Sequence, residues 1–176
     1  FAKKEQVIGV FLDIKGAFDR LDHASTIRAL RDRGIPTRFI NWYKQYLENR
    51  VTTIELAGHT KTRALKCGTP QGGVLSPVIW NIVFERALAS MSQEAHVTGF
   101  ADDGCILVSG SRPVIMRNQA QKAVDLALAW GEANGLEFNA EKMEVIHFKR
   151  MKATKPPRIT INGERINYST QVKYLG

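Results

Sequence analysis

Short, almost purely apolar runs alternate along the chain with longer runs of helical periodicity. Residues 7–14 are nearly all apolar, which predicts a strand at the centre of a sheet, buried on both faces. Residues 97–100 and 105–108 are rich in β-formers and flank Ala-Asp-Asp-Gly, which predicts two strands joined by a tight turn. Acidic residues therefore stand at the ends of strands that are otherwise apolar.

Helical periodicity and helix-stop signals predict four helices between these strands. Helices are predicted over residues 22–33, from residue 37 onward, over residues 74–91 and over residues 113–134. Further strands are predicted over residues 51–56, 62–67, 136–138, 143–148, 159–161, 165–168 and 172–175. No repeat, low-complexity tract or domain boundary is visible. The order of elements predicts a single α+β domain, an antiparallel sheet with helices packed on one face.

The net charge of the sequence indicates what kind of partner the protein binds. The 176 residues include 25 Lys and Arg against 17 Asp and Glu, a net charge of +8 that indicates a polyanion such as nucleic acid. Two cysteines without a Cys-x-x-Cys pair argue against a disulfide framework or zinc knuckle, and each is expected to be a small apolar packing residue. No apolar run approaches the roughly 20 residues of a membrane span, so no membrane partner is expected.

Three carboxylates suggest chemistry rather than turn structure alone. A tight turn accounts for Asp102 and Asp103, because Asp tolerates positive φ and can bond its own backbone. An ionised Asp13 in a buried strand, however, is costly unless something compensates its charge. If that strand lies beside the hairpin, the three carboxylates need a cation, and oxygen ligands select hard ions such as Mg²⁺. Both interpretations, turn and metal site, are open at this point.

An ordered set of motifs resembles the polymerase motifs of reverse transcriptases. Asp13-Ile-Lys-Gly-Ala-Phe18-Asp19, Gly68-Thr-Pro-Gln71-Gly72-Gly-Val-Leu-Ser-Pro77 and Phe100-Ala-Asp102-Asp103 resemble motifs A, B and C. Gly135-Leu-Glu-Phe-Asn139-Ala-Glu-Lys142 resembles motif D, and Lys173-Tyr-Leu-Gly176 resembles the start of motif E. The residues of these motifs are most similar to those of non-LTR, LINE-like retrotransposon polymerases. A lone Asp-Asp pair is a weak signal, whereas five motifs in order across residues 7–176 are a strong one.

This resemblance implies the palm of a right-hand polymerase that adds dNTPs to a DNA primer on an RNA template. It implies two Mg²⁺ ions, with Mn²⁺ as a possible substitute, held mainly by Asp13 and Asp102 with Asp103 beside them. Lys142 is implied to protonate or neutralise the departing pyrophosphate, and a plain surface lysine is the alternative. Met143 follows where the family often has Thr or Ser.

Four further residues are implied to contact the substrates. Phe18 would be the steric gate that excludes a 2′-hydroxyl, with a core phenylalanine as the alternative. Gln71 and Gly72 would touch the incoming nucleotide and the templating base, although their loop alone is an ordinary helix-entry turn. Phe100 replaces the family's tyrosine, so the ring near the primer terminus is kept and the hydroxyl is lost.

Other polar residues receive weaker assignments. Asp19 follows the gate and is interpreted as a turn or capping acid without a metal role. A basic segment can follow template–primer phosphates or form a solvated loop. Its cations are Lys149, Arg150, Lys152, Lys155 and Arg158.

The resemblance begins at motif A, so residues 1–176 are expected to be one partial reverse transcriptase domain without upstream fingers or downstream thumb. Such a fragment is expected to polymerise poorly alone. The protein is expected to be intracellular, and the family resemblance indicates the nucleus. Two alternatives are a non-catalytic nucleic-acid-binding remnant of a retroelement and an unrelated carboxylate–metal phosphohydrolase, which would need no aromatic gate.

Overall fold

The computed structural model describes residues 6–148 and 157–175. Its helices are α1 (Ala17–Arg20), α2 (His23–Asp32), α3 (Thr37–Glu48), α4 (Ser76–Met91) and α5 (Pro113–Ala133). Its strands are β1 (Gln6–Leu12), β2 (Val51–Leu56), β3 (His59–Ala64), β4 (His96–Phe100), β5 (Asp103–Gly110), β6 (Glu144–Phe148), β7 (Thr160–Ile161), β8 (Glu164–Arg165) and β9 (Asn167–Tyr168). The chain forms two compact units. The first consists of residues 1–15 and 85–176, and the second consists of residues 16–84.

The first unit is built on a five-stranded sheet in the order β4-β5-β1-β6-β9. Its pairings are antiparallel except that of β9, which runs parallel to β6. Strand β1 lies at the centre, as its apolar sequence predicts. The expected α+β class and antiparallel sheet are therefore confirmed, with one parallel strand added at the edge.

The two faces of this sheet differ because side chains alternate along each strand. Ile8 and Val10 on β1 share one face with their partners Val108 and Ile106 on β5, and all four are buried. Helix α5 packs against β1 and β5. The opposite face keeps partial exposure at Phe11, so β1 is not buried on both faces as its sequence suggested.

The second unit holds helices α1 to α3, the first part of α4, the separate β2–β3 ribbon and a loop over residues 68–73. Asp22 caps α2 by accepting a hydrogen bond from the Ser25 amide, and Gly34 follows the helix with φ of 77°. Helix α3 buries Ile40, Tyr43 and Leu47 along one stripe. Both helices form where their patterns predict.

Several strand predictions are wrong. Residues 136–138 form only an isolated bridge between Phe138 and Ile14, and residues 172–175 form no strand. The second ribbon strand runs over His59–Ala64 rather than residues 62–67, because a two-residue turn at Ala57–Gly58 begins it earlier.

Two other expectations have different outcomes. Cys67 is exposed, so it is not the packing residue expected, whereas Cys105 is buried and burial raises the pKa of its thiol to about 11. Lys149, Arg150, Lys152 and Lys155 lie outside the described residues, and Arg158 is exposed. Across residues 6–148 and 157–175, no helix has both the length and the apolar character of a membrane span.

Candidate active site

The strand register brings Asp13 and the Asp102–Asp103 pair to one end of the sheet. Leu12, the last residue of β1, pairs with Gly104 of β5. Extending this register by one position places Asp13 opposite Asp103. Both then lie on the sheet face of Phe11 and Cys105, because side chains two positions apart share a face. This is the face opposite the one on which α5 packs.

Asp102 lies next to Asp13 and Asp103, in the tight turn between β4 and β5. Phe100 of β4 pairs with Asp103 of β5, so only Ala101 and Asp102 form the connection. Ala101 has φ of 51°, the left-handed conformation that a two-residue hairpin turn requires. The turn interpretation of "Ala-Asp-Asp-Gly" therefore holds, and the same turn holds two carboxylates at the strand ends.

The electrostatics of this group favour a bound cation. Burial raises the pKa of the Asp103 carboxyl above its ordinary value, and the charges of Asp102 and Asp13 raise it further. Like-charge repulsion of this kind is relieved when a cation is shared. Within the described residues, no group of three or more His, Cys, Asp or Glu side chains has the arrangement of a preformed metal site. The donors fit Mg²⁺, which is commonly held by one or two carboxylates with waters and substrate phosphates completing its shell.

Tyr174 packs on the same face of the sheet. Its ring meets Phe11 edge-on with centroids 5.4 Å apart. Burial raises the pKa of the Tyr174 hydroxyl, a hydrogen bond with Thr98 opposes this, and the charges of Cys105 and Asp103 add to it. The segment predicted as a strand of motif E therefore contributes a side chain next to the carboxylates instead.

Backbone hydrogen bonds dock the segment that carries Lys142 onto the end of β1. The Lys15 amide donates to the Glu137 carbonyl at 2.8 Å, and the Asn139 amide donates to the Asp13 carbonyl at 2.8 Å. The Lys142 amide in turn donates to the Asn139 carbonyl at 3.1 Å. An ion pair of 2.5 Å between Lys15 Nζ and Glu137 Oε1 spans the same junction. Lys142 is exposed and tied to Asp13 through this ladder.

In the second unit, the loop of residues 68–73 is fixed against α1. The Gly68 amide donates to the Leu21 carbonyl and the Thr69 amide to the Phe18 carbonyl, each at 2.8 Å. Gly68 has φ of +87°, and a Cβ at that position would stand 2.7 Å from the Asp19 carbonyl oxygen. Only glycine fits such an approach, so the first glycine of the loop has a structural cause.

Hydroxyl groups hold the rest of this loop. The buried Tyr43 hydroxyl lies 3.2 Å from Thr69 Oγ1, which lies 2.9 Å from Ser76 Oγ. Ser76 Oγ also donates to the Pro70 carbonyl at 2.6 Å. The loop that carries Gln71 and Gly72 is therefore positioned from both α3 and α4.

Asp19 has a partner that its sequence position did not reveal. Gln71 Nε2 donates to both carboxylate oxygens of Asp19 at 3.0 Å. Asp19 lies within α1, so it is neither a turn nor a capping acid. It orients the amide of Gln71, and only a three-dimensional structure could join residues 52 positions apart.

Phe18 and Phe100 have different surroundings. Phe18 is half-buried, and its ring packs against Trp80 with centroids 5.6 Å apart. Phe100 is 66% exposed at the end of β4. The structure thus places the three aspartates, Phe100 and Lys142 in one unit, and Phe18, Gln71 and Gly72 in the other.

The antiparallel sheet, with carboxylates where its central strand meets a two-residue hairpin, defines an α+β domain of polymerase-palm type. The family described as "Reverse transcriptase (RNA-dependent DNA polymerase)" matches residues 1–176, and the chain belongs to that family.

Known relatives are non-LTR retrotransposon proteins. A "Retrovirus-related Pol polyprotein from type-1 retrotransposable element R1" of Bradysia coprophila is 29% identical over 99% of this chain and 17% of its own length. The "RNA-directed DNA polymerase from mobile element jockey" of Drosophila melanogaster is 27% identical over 98% of this chain and 19% of its own length. The chain thus spans about a fifth of the length of these relatives.

A solved structure shares the fold. "Structure of apo telomerase from Candida Tropicalis truncated from C-terminal domain" superposes with a TM-score of 0.66 at 14% identity, covering 92% of this chain and 34% of that one. At this identity the likeness concerns the fold, which agrees with the palm architecture.

Proposed function

We propose that this chain is the catalytic palm of a longer protein that copies RNA into DNA. The carrying observation is that Asp13 and Asp103 share one sheet face with Asp102 in the adjoining turn. Burial raises the pKa of the Asp103 carboxyl, and the charges of Asp102 and Asp13 raise it further. Membership of the reverse transcriptase family supports RNA as template and dNTPs as substrates. The names of the relatives, retrotransposon polymerases, point to the same activity.

Asp13 and Asp102 would hold two Mg²⁺ ions, for which Mn²⁺ can substitute, with Asp103 adjacent. Such ions supply charge stabilisation of the attacking and leaving oxygens in phosphoryl transfer. The chain's own contribution is placement, because the β1–β5 ladder and the turn at Ala101 fix all three carboxylates.

The reaction joins a primer to a nucleotide. The oxygen of the primer 3′-hydroxyl attacks the α-phosphorus of a dNTP, a new P–O bond forms, and the bond to pyrophosphate breaks. The proton of the attacking hydroxyl passes to solvent water. Lys142 would donate a proton to the departing pyrophosphate, and the backbone hydrogen bonds that join its segment to Asp13 support this assignment.

The remaining residues select and position substrates. Phe18 would exclude a ribose 2′-hydroxyl through its ring. Gln71, oriented by Asp19, and Gly72, with φ of +81° and open space around its Cα, would contact the nucleotide and the templating base. Phe100, exposed beside Asp103, would pack near the primer terminus.

Primer extension tests this proposal. A full-length protein containing this chain is given a poly-A RNA template, an oligo-dT primer, dTTP and Mg²⁺, beside its Asp102→Asn variant. Extension by the wild type and at least a hundredfold less by Asp102→Asn is expected, because losing one metal-binding carboxylate removes several kcal/mol of charge stabilisation. Template–primer binding without extension in either protein would instead identify a non-catalytic remnant.

The site of action is a separate prediction. A protein of this family acting on chromosomal DNA would be found in the nucleus, and imaging of the tagged full-length protein checks this.

A further inference from the structure

The β2–β3 ribbon is the most exposed regular element of the second unit. Every residue of both strands is exposed, including Val51 at 59%, Ile54 at 64% and Leu56 at 75%. Among the described residues, the two strands pair with each other alone. A two-stranded ribbon is marginally stable alone in water, and apolar side chains that remain exposed on it indicate a binding surface.

The strand register separates the ribbon into two chemically different faces. One face, here called the basic face, is formed by the pairs Thr52–Arg63, Ile54–Lys61 and Leu56–His59. The other is formed by Val51–Ala64, Thr53–Thr62 and Glu55–Thr60. A contact of 3.1 Å between Thr53 Oγ1 and Thr62 Oγ1 agrees with this division. The ribbon's acidic residue, Glu55, thus points away from the basic face.

The charges of the basic face are uncompensated. Within the described part of the chain, neither Lys61 nor Arg63 forms an ion pair or a side-chain hydrogen bond. Residues two apart on a strand lie about 6.8 Å from each other on one face, so the two cations form a short row. Aliphatic side chains of Ile54 and Leu56 run beside that row.

We propose that the basic face binds the sugar–phosphate backbone of the template–primer duplex, an inference that rests on the proposed function. Arg63 and Lys61 would contact phosphates, and Ile54 and Leu56 would pack against sugars. We choose the partner by charge complementarity, since lysine is depleted at protein interfaces whereas Lys and Arg are common phosphate contacts. The face has no Phe, Tyr or Trp on which unpaired bases would stack, which favours a duplex over a single strand.

Three forms of the full-length protein test the proposal. They are the wild type, Lys61→Gln with Arg63→Gln, and a face-swapped form that adds Thr60→Lys and Thr62→Arg to those two changes. The face-swapped form restores the net charge on the opposite side of the same strand. Binding of an RNA–DNA template–primer is measured without nucleotide between 50 and 200 mM salt, together with Tm.

The neutralised form should lose about two units of the slope of log K against log salt, roughly one per phosphate contact. Its affinity deficit relative to wild type should therefore shrink about tenfold between 50 and 200 mM salt. The face-swapped form should remain as weak as the neutralised form. Full restoration by the swap would show that net charge suffices and would overturn the proposal.

Two further results would also overturn it. An unchanged salt slope combined with a Tm lowered by more than about 3 °C would show that this face packs against protein. If the neutralised form lost salt slope with single-stranded RNA but not with the template–primer, the duplex would be excluded as the ligand of this face. Because binding is measured without nucleotide, a wild type that binds but does not extend would refute the polymerase while leaving the ribbon result interpretable.

Discussion

Phe18 has an observed packing role and a proposed role in nucleotide selectivity. Its ring is half-buried against Trp80, and its carbonyl accepts the hydrogen bond from Thr69 that anchors the next motif. Both the core interpretation and the gate interpretation therefore describe part of its surroundings. The half-exposed ring is what a gate requires, because a side chain must be held firmly and still present a surface to the sugar.

Replacing Phe18 by Ala should admit ribonucleotides. Removing the ring opens space for a 2′-hydroxyl, and a single steric contact of this kind is worth roughly 1–3 kcal/mol, or about 10- to 200-fold in selectivity. The ratio of kcat/KM for dTTP over UTP, measured in the full-length protein, should fall by at least tenfold.

Phe18→Tyr keeps the ring and serves as the control. It should retain most of the preference for dTTP. An Ala variant that loses activity toward both nucleotides equally would show that Phe18 acts only in packing.

Residue identity also limits what sequence alone can predict. Asp13 is conspicuous because an ionised carboxylate in an apolar strand is costly without compensation. Asp102 and Asp103 alone fit an ordinary turn, and only the ordered motifs distinguish them as candidate metal ligands. Asp19 was misinterpreted because its partner, Gln71, lies 52 positions away. A short polar residue in a turn-rich segment looks the same in sequence whether it orients a neighbour or not.

At the scale of elements, the end of β1 and the segment before β6 behave as one piece. Two backbone hydrogen bonds link residues 13–15 to residues 137–139, and the Lys15–Glu137 ion pair spans the same junction. A third, from the Lys142 amide to the Asn139 carbonyl, continues to Lys142. The position of Lys142 relative to Asp13 depends on this junction. The structure thus couples two motifs that are more than a hundred residues apart in sequence.

Breaking the ion pair should slow catalysis without weakening nucleotide binding. Both side chains are about half exposed, at 40% and 54%, so the pair is worth at most about 1 kcal/mol. Lys15→Glu or Glu137→Lys should lower kcat about two- to fivefold with an unchanged KM for dTTP. The charge-swapped double variant should recover most of the loss.

A comparable exposed pair provides the control. Lys44 and Glu48 lie 3.6 Å apart on α3, and swapping their charges should leave kcat unchanged. If the Lys15–Glu137 double variant recovers nothing, the two side chains act separately and not as a clamp.

The elements themselves were predictable to different degrees. Strong periodicity and clear stops identified α2 and α5, and an apolar run identified β1. The parallel pairing of β9 was not predictable, because two residues carry no periodicity and only the partner β6 makes them a strand. The ribbon boundary shifted because Ala57 takes a left-handed turn, with φ of 50°, that a sequence pattern does not show.

At the scale of the molecule, we expect catalysis to require more of the protein than this chain. The chain spans 17% and 19% of two relatives that match nearly all of it. A net charge of +8 favours encounter with nucleic acid, but phosphate contacts alone do not hold a primer terminus in register.

Purified residues 1–176 should therefore bind a template–primer and fail to extend it. Extension should not exceed that of the same fragment with Asp102→Asn, whereas the full-length protein should be active. Circular dichroism confirms that the fragment is folded before the assay. Robust extension by the fragment would contradict the expectation and show that these residues suffice.

The pairing of β1 with β5 has a consequence for how this sequence can vary in length. Asp13 and Asp103 lie opposite each other because β1 and β5 pair residue for residue, without a bulge, up to the end of the ladder. One inserted or deleted residue in either strand would turn one carboxylate to the opposite side of the sheet, a change no side-chain substitution could repair. One extra residue at the Ala57–Gly58 turn would alter only a ribbon. We therefore expect changes of length to be tolerated at that turn and not in β1 or β5.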